Sequence, residues 1–387
     1  MSGRRICVVT GSRADYGLIY WPLRLLAESE DFELQIVATG MHLAPAFGET
    51  WRQIESDGFA ISARVDSLLA GDSACSVSKS VGLGVIGFAD VIQNLRPDLI
   101  MVLGDRFEIL AAVQAALFAK VPVAHLCGGD VTEGAFDESI RHAISKMAQI
   151  HFPTNADAGK RLIAMGENPD HVHVVGSPGL DRIRRMEFMT RDVFFEAVGL
   201  HPRKQNVLVV LHPTTLDDGG GLGQSEDLTR ALAALGPDVG LLLTGANADT
   251  DGQRINAHLQ SFASATSNAI FRMSLGSDLF INALKHVDAI VGNSSSGLYE
   301  APSFGLPAVN IGDRQKGRLR ASSVIDVPSD CGSILSAIKR ALSNGRFEPQ
   351  NPYGDGHAAE KIIDILRQIE NLPSLIQKPF FEDTSSA

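Results

Sequence analysis

Four cysteines in 387 residues, Cys7, Cys75, Cys127 and Cys331, with no C-x-x-C spacing among them, offer no disulfide framework. A reducing cytoplasm is the expected compartment. Positive charge is also scarce. The 34 Lys and Arg against 45 Asp and Glu leave a net charge of −11, which argues against nucleic acid or an anionic membrane as a general partner. An anionic small ligand would need its cations concentrated locally. Long apolar runs are few: "MSGRRICVVT" is basic and then apolar for only a strand's length, so no signal peptide is expected, and no other stretch reads as a membrane span. A dinucleotide fingerprint and a P-loop are missing too, because "TGSRADYG" carries only Gly11 and Gly17. What is present, 44% hydrophobic and 20% charged residues, is the composition of a soluble globular protein, and the length favours two domains over one core.

Short β-rich runs alternate with longer helical ones. "ICVVT", "ELQIVATG", "FAISARV", "PDLIMVLG", "VPVAHLC", "IHFPT" and "HVHVVG" read as strands of a first half. "VLVVLHP", "VGLLLTG", "AIFRMS", "DAIVGN", "PAVNI" and "SVIDV" read as strands of a second. Apolar strands joined by helices predict parallel sheets in an α/β fold. The expected architecture is two doubly wound domains facing a cleft, residues 1–180 and 181–350, with the pattern lapsing between 178 and 205. Residues 351–387 form a last helix and tail expected to pack across both domains. "LDDGGGLGQSED" reads as a polar surface loop.

Ligands of such sheets bind past the carboxyl ends of strands, and most of the candidate residues lie there. Arg13 follows the first strand at a helix N-terminus, where backbone N–H groups and a cation could hold phosphate; a capped turn with a solvated arginine is the alternative. His42, after the second, is more often structural than functional in such a place. In "VLGDRFE", Asp105 and Arg106 can supply a base to a sugar and a cation to a leaving phosphate, or can simply neutralise each other. "HLCGGDVTEGAFDESIRH" holds Asp130, Asp137 and Arg141, with Asp137 and Arg141 four apart on one helix face and Glu138 and His142 on the adjacent one. Acids at a helix start are favoured by the macrodipole, but the double glycine before them suggests close backbone approach to something.

In the second half His212 follows a buried strand, and Asn247 either reaches a ligand or shapes a turn. Ser294 and Ser295 open a helix, where hydroxyls and N–H groups suit a phosphate and N-capping is the alternative. Glu300, one turn on, can accept ribose hydroxyls. Arg314 lies on a basic loop after a further strand. The acids of "ADTD" (248–251) are too weak a pattern for a metal site, and none is expected.

Together "TGSRADYG", "TGMHL", "VLGDRFE", "GGDVTEGAFDESIRHAISK", "VGSPGLD", "LHPTT", "GNSSSG" and "VNIGDRQKGR" resemble, in order over about residues 5–330, the hydrolysing UDP-N-acetylglucosamine 2-epimerases of sialic-acid-type sugar biosynthesis. The resemblance implies two Rossmann-like domains in the B-type glycosyltransferase arrangement, with UDP bound by the second. It implies no cofactor, UDP-N-acetylglucosamine as the first expected substrate, UDP and free N-acetylmannosamine as products by way of a glycal, and a dimer or tetramer. It also implies Asp105 and Asp137 as the acid/base pair and Arg141 orienting the carboxylates. Arg13, Arg106, His212, Ser294, Ser295 and Arg314 would hold phosphates, with Glu300 on the ribose.

One position departs from the family's His-x-Glu-Gly-Gly-Glu pattern: Cys127 stands where relatives have the first Glu, and Asp130 retains the second. A thiol in an apolar site stays protonated and is a poor replacement. Either Asp130 takes the role, or the pocket is reshaped, as for a 4-acetamido-6-deoxy substrate such as UDP-N,N'-diacetylbacillosamine of the legionaminic-acid pathway. The other readings are a non-hydrolysing epimerase, a UDP-sugar glycosyltransferase and a non-catalytic nucleotide-sugar sensor.

Overall fold

The structure, a computed structural model, describes residues 3–70, 73–131, 137–213, 221–246 and 252–382. It divides into two compact units, residues 1–184 with 353–387, and residues 185–352.

The first unit carries a six-stranded parallel sheet of β1 (Arg4–Thr10), β2 (Phe32–Thr39), β3 (Ile61–Val65), β4 (Leu99–Leu103), β5 (Val123–Leu126) and β6 (Ile150–Phe152). The order is β3-β2-β1-β4-β5-β6, so the direction of winding reverses between β1 and β4. The second unit repeats the plan with β7 (Gln205–Val210), β8 (Val239–Thr244), β9 (Ala269–Arg272), β10 (Ala289–Gly292), β11 (Ala308–Ile311) and β12 (Val324–Val327). Its order, β12-β11-β10-β7-β8-β9, reverses between β7 and β10. Both are Rossmann-like doubly wound sheets. The central strands are continuous apolar runs because helices cover both faces: β4 and β8 are buried at every residue.

Two expectations are corrected here. "HVHVVG" is not a strand. It makes one isolated bridge, His151 with Val172, and Pro153 ends β6 just beyond it with no N–H to extend the ladder. The supposed loop "LDDGGGLGQSED" yields at Leu222 to the helix Leu222–Ala233, whose Leu228, Ala231 and Leu232 enter the core; residues 214–220 lie outside the described residues.

The C-terminal helix Ala358–Gln368 belongs with the first unit. Ala358, Ile362, Ile363 and Leu366 join the core cluster that includes Ile6, Val8, Ile19 and Leu23. Each buried Ile or Leu contributes about 1.5–3 kcal/mol. Buried Asp181, from "VGSPGLD", caps the helix by accepting from the N–H of Ala358 and of Ala359, both at 3.1 Å. The Ser177 N–H donates to the Tyr353 carbonyl at 2.6 Å where the chain returns.

One helix, Ala74–Leu95, is by length and composition apolar enough to cross a membrane, contrary to the sequence reading. In the fold it packs beside the helix Phe107–Ala119 and buries Ser80, Gly84, Phe88 and Ile92.

Candidate active site

At the first unit's switch point, Gly11 follows β1 and Gly104 follows β4. A Cβ on Gly11 or Gly40 would strike the buried side chain of Glu108, so glycine is what lets that carboxylate in. Glu108 accepts from Arg106 Nε at 2.5 Å, and Arg106 Nη2 lies 3.3 Å from Met41 Sδ. Asp15 Oδ2 is 3.9 Å from the same Nε and, among the described residues, has no hydrogen-bond partner. Burial raises the Asp15 carboxyl to about 6, against the Ser12 hydrogen bond and the Arg106 charge. Arg106 is thus held from below by two acids. Arg13 is exposed at the first residue of the helix Arg13–Glu28, beside the unsatisfied N–H groups of that terminus.

Past β4 and β5 the acids converge on Arg141. This buried guanidinium donates through Nη2 to Asp105 Oδ2, and through Nη1 to the Asp130 carbonyl at 2.7 Å and to Glu138 Oε2 at 3.1 Å. Among the described residues, Asp105 Oδ1 makes no hydrogen bond. Asp137, one turn before Arg141, has its pKa raised by burial and then by the charge of Asp105. Glu138 also meets His142 Nε2 at 3.2 Å. The i, i+4 logic therefore brings Asp105, Asp137, Glu138, Arg141 and His142 into one cluster.

Three side chains that sequence reasoning overlooked, or set in another role, support this cluster. His125 is fully buried and bridges Ser145 Oγ (3.0 Å) and the Gly104 carbonyl (2.8 Å), fixing the turn before Asp105. Burial depresses its pKa to about 3. Asp130, expected among the catalytic acids, has both carboxylate oxygens engaged: Thr154 Oγ1 at 2.9 and 3.2 Å and Asn155 Nδ2 at 3.2 Å. It anchors the loop, and only its carbonyl reaches Arg141. His42, a minor substrate-binding candidate, is fully buried with its ring between Thr10 Oγ1 (3.0 Å) and Thr50 Oγ1 (2.7 Å). Its pKa is lowered to about 4 by burial, and it ties β1 to the segment after β2.

The double glycine approaches the protein itself. A Cβ on Gly128 would come within 2.9 Å of His125 Nδ1 and Ser145 Oγ, and one on Gly129, at φ +77°, would overlap the Ala158 carbonyl. Cys127 is held at φ +61°, unusual for a side-chain-bearing residue; burial pushes its thiol pKa up, and it stays protonated.

In the second unit buried Asn293 links the two switch-point strands. It accepts from the His212 N–H and donates to the His212 carbonyl, each at 2.8 Å. Gly292, at φ +140°, lies against β7, where a Cβ would overlap the Val210 carbonyl. The Asn293 carbonyl receives Arg314 Nη1 at 3.2 Å and buried Gln315 Nε2 at 2.8 Å, so the basic loop is tied to the residue before Ser294. Ser294 Oγ accepts from the Ser296 N–H at 3.3 Å, the capping use of that serine. Ser295 makes no side-chain cap bond to the four-residue helix Ser296–Tyr299. Glu300 follows at once, its pKa raised by burial against a hydrogen bond from Ser296, with Oε2 unpartnered among the described residues. His212, Ser294 with Ser295, and Arg314 therefore follow the ends of three adjacent strands, β7, β10 and β11, tied together through Asn293. Asn247, and the acids of "ADTD", lie outside the described residues.

Asp15 and Glu108 had a signal: each is an acid in the first turn of a helix directly after a switch-point strand, and the Glu108 helix is otherwise apolar.

The sequence profile of the UDP-N-acetylglucosamine 2-epimerase family matches residues 24–367. A hydrolysing UDP-N,N'-diacetylbacillosamine 2-epimerase of Legionella pneumophila is 38% identical, over 97% of this chain and 98% of that protein. A hydrolysing GDP/UDP-N,N'-diacetylbacillosamine 2-epimerase of Campylobacter jejuni is 37% identical, over 99% of this chain and all of that protein. The crystal structure of a Neisseria meningitidis UDP-GlcNAc 2-epimerase, solved with UDP-GlcNAc bound, superimposes with a TM-score of 0.78. It covers 94% of this chain and all of that one at 18% identity, a likeness of fold.

Proposed function

Because the chain belongs to the UDP-N-acetylglucosamine 2-epimerase family, we propose that it is a hydrolysing 2-epimerase, converting a UDP-linked 2-acetamido sugar and water into UDP and the free 2-epimer. The observation that carries the reading is the pairing of Asp105 with Asp137 around Arg141 at the carboxyl end of β4. Two carboxyls beside one guanidinium, the Asp137 one raised by burial, suit a reaction with one abstraction and one return of a proton.

The C2 proton of the sugar is not acidic, so its removal is coupled to loss of the nucleotide. The C2–H electrons form the C1–C2 double bond as the C1–O bond breaks and its pair leaves on UDP. A carboxylate takes the proton, giving a glycal. A proton is then delivered to the opposite face of C2, and water adds its hydroxyl at C1. In this scheme Asp105, pinned through Oδ2, presents Oδ1 as the base, and Asp137, whose pKa is raised, returns the proton. Within the second unit, charge moving onto the diphosphate is met by Arg314 with the N–H groups and hydroxyls of Ser294 and Ser295. Glu300 serves the ribose.

Of the two candidate substrates, UDP-N-acetylglucosamine and UDP-N,N'-diacetylbacillosamine, the second is favoured. The relatives named for it are 38% and 37% identical to this chain, whereas a Neisseria meningitidis UDP-N-acetylglucosamine 2-epimerase is 29% identical. Cys127, protonated, also stands where the family pattern has its first Glu, and the Asp130 carboxylate at the second position is held by Thr154 and Asn155.

The test is to offer each nucleotide sugar separately in deuterated water, with no acceptor, and to identify the product by NMR. Free 2-epimer bearing deuterium at C2 is expected, with the diacetyl substrate turned over faster. UDP-linked epimer as the sole product would make the enzyme non-hydrolysing, and turnover that waits for an acceptor alcohol would make it a transferase.

A further inference from the structure

The helix Asp137–Met147 brings Asp137, Glu138 and Arg141 to the proposed site from its first two turns. Its other end is held by a distant part of the chain. Beyond the helix Ala358–Gln368, Lys378 lays its ammonium on the carbonyls of Ser145 (3.4 Å), Lys146 (2.9 Å) and Ala148 (2.6 Å). The first two lie in the last turn of the helix, where carbonyls are short of partners and the macrodipole favours a cation.

The Lys378 side chain is only 16% exposed, and its charge is matched: Nζ is 2.5 Å from Oε2 of buried Glu167. Lys146 Nζ, from the same helix end, reaches Glu167 Oε1 at 2.6 Å, and His151 Nε2, from β6, reaches Oε2 at 2.8 Å. Against its burial, hydrogen bonds from His151, Lys146 and Lys378 hold the Glu167 carboxyl down at about 2, so it stays ionised near neutral pH. The segment is fastened a second time nearby. The Phe381 N–H donates to the Gly166 carbonyl at 3.0 Å, and the Phe380 ring lies where a Cβ on Gly166 would strike it. Lys146 Nζ is 5.1 Å from the centre of that ring.

The helix held in this way also carries both ties to the Asp105 turn. Arg141 donates to Asp105 Oδ2, and Ser145 Oγ meets His125, which reaches the Gly104 carbonyl. Arg141 and Ser145 are four apart and both buried, one above the other on the inner face. A slide of the helix along its axis would therefore shift Arg141 and Asp137 against Asp105.

We propose that residues 378–381 form a strap that sets the axial position of the helix Asp137–Met147, with Lys378 as a positioning residue for the acid/base pair. This rests on the function proposed above. It matters there because a misplacement of about 1 Å at a reacting group can cost about a hundredfold in rate. Lys378 acts through Arg141 and Asp137. The rival is a cap that only stabilises the first unit, and Arg346 supplies the comparison. Its guanidinium caps the helix Gly276–His286 through the carbonyls of Leu284 (3.0 Å), Lys285 (2.7 Å) and Val287 (2.7 Å), none of them a residue of the proposed site.

The test combines steady-state kinetics on the preferred nucleotide sugar with hydrogen–deuterium exchange mass spectrometry. Lys378→Met, which removes the charge and keeps much of the stem, is made in the full chain and assayed well below its melting temperature. The kcat should fall about tenfold or more while KM stays within about threefold, since Ser294, Ser295 and Arg314 of the second unit hold the nucleotide in that reading. Exchange in peptides spanning 137–147 should quicken about tenfold, with those spanning 222–265 unchanged. Arg346→Met should keep kcat within about threefold. Should Lys378→Met fail to fold, Phe380→Ala, at an exposed ring, should move kcat and exchange in the same directions by smaller factors.

A wild-type kcat beside a loosened helix would reduce the strap to a plain cap, and unchanged exchange in 137–147 would show that it does not hold the helix. An equal loss of kcat in Arg346→Met would assign the effect to general loosening. Each result overturns the proposal and leaves the proposed function standing. A wild type that turns over neither sugar overturns that function, and the strap's part in catalysis with it.

Discussion

Asp105 is bound at one oxygen and open at the other, so replacing it by Asn preserves shape while removing the basic oxygen. Asp105→Asn should keep UDP affinity within about threefold and lower turnover by about a thousandfold or more, as loss of a positioned base does. Isothermal titration with UDP and product assay separate the two, and unchanged turnover would remove Asp105 from the chemistry. The buried histidines give a second prediction. His42 and His125 are held neutral in the folded protein, with pKa values of about 4 and about 3 against an ordinary 6.5. A depressed pKa means stability that is present above 6.5 and lost as pH falls toward those values. Asp15, raised from 3.8 to about 6, acts in the opposite sense, losing stability as pH rises across that window. Denaturant midpoints from pH 7 to pH 4 should therefore fall, and His125→Asn should flatten the slope. A slope unaltered by the substitution would show that His125 titrates normally. At this scale Asp105, Arg106 and Arg141 were legible because strand ends and helical spacing are local. The hydrogen bonds that Asp130 and His42 make were not legible, because their partners, Thr154, Asn155, Thr10 and Thr50, are not set by local pattern.

Elements meet at glycines that no other residue can replace. Gly292→Ala would drive a Cβ into the Val210 carbonyl between β10 and β7, and Gly129→Ala would do the same to Ala158 from a left-handed backbone. Each should destabilise by about 3 kcal/mol or more in urea unfolding; a cost below about 1 kcal/mol would mean that the strand or loop moves aside. The alternation of strands and helices was readable because burial on both faces writes itself as apolar runs. "HVHVVG" shows the limit of that signal. Its composition is a strand's, but pairing depends on a neighbour, and Pro153 stops the neighbour short. The glycine pair was noticed for the right physical reason, close approach, while what it approaches is set by tertiary packing that the sequence does not display.

At the scale of the molecule the first unit is discontinuous and the second is not. Ending the chain after Pro352 removes Ile362, Ile363 and Leu366 from the first core and strips Asp181 of the helix it caps. Such a truncation should expose the first unit to protease while leaving 185–352 protected, as limited proteolysis with mass spectrometry would read. Equal resistance of both units would show that the last helix is dispensable.

That interruption has a bearing on synthesis. During translation residues 4–184 emerge before residues 358–366, which supply the last helix of their core. The middle unit, whose residues are contiguous, has everything it needs earlier. Completion of the unit bearing Asp105 and Asp137 thus waits on residues 358–366, and a nascent chain cut short before them would carry a finished second unit and an uncovered apolar sheet in the first, the form most prone to capture by chaperones.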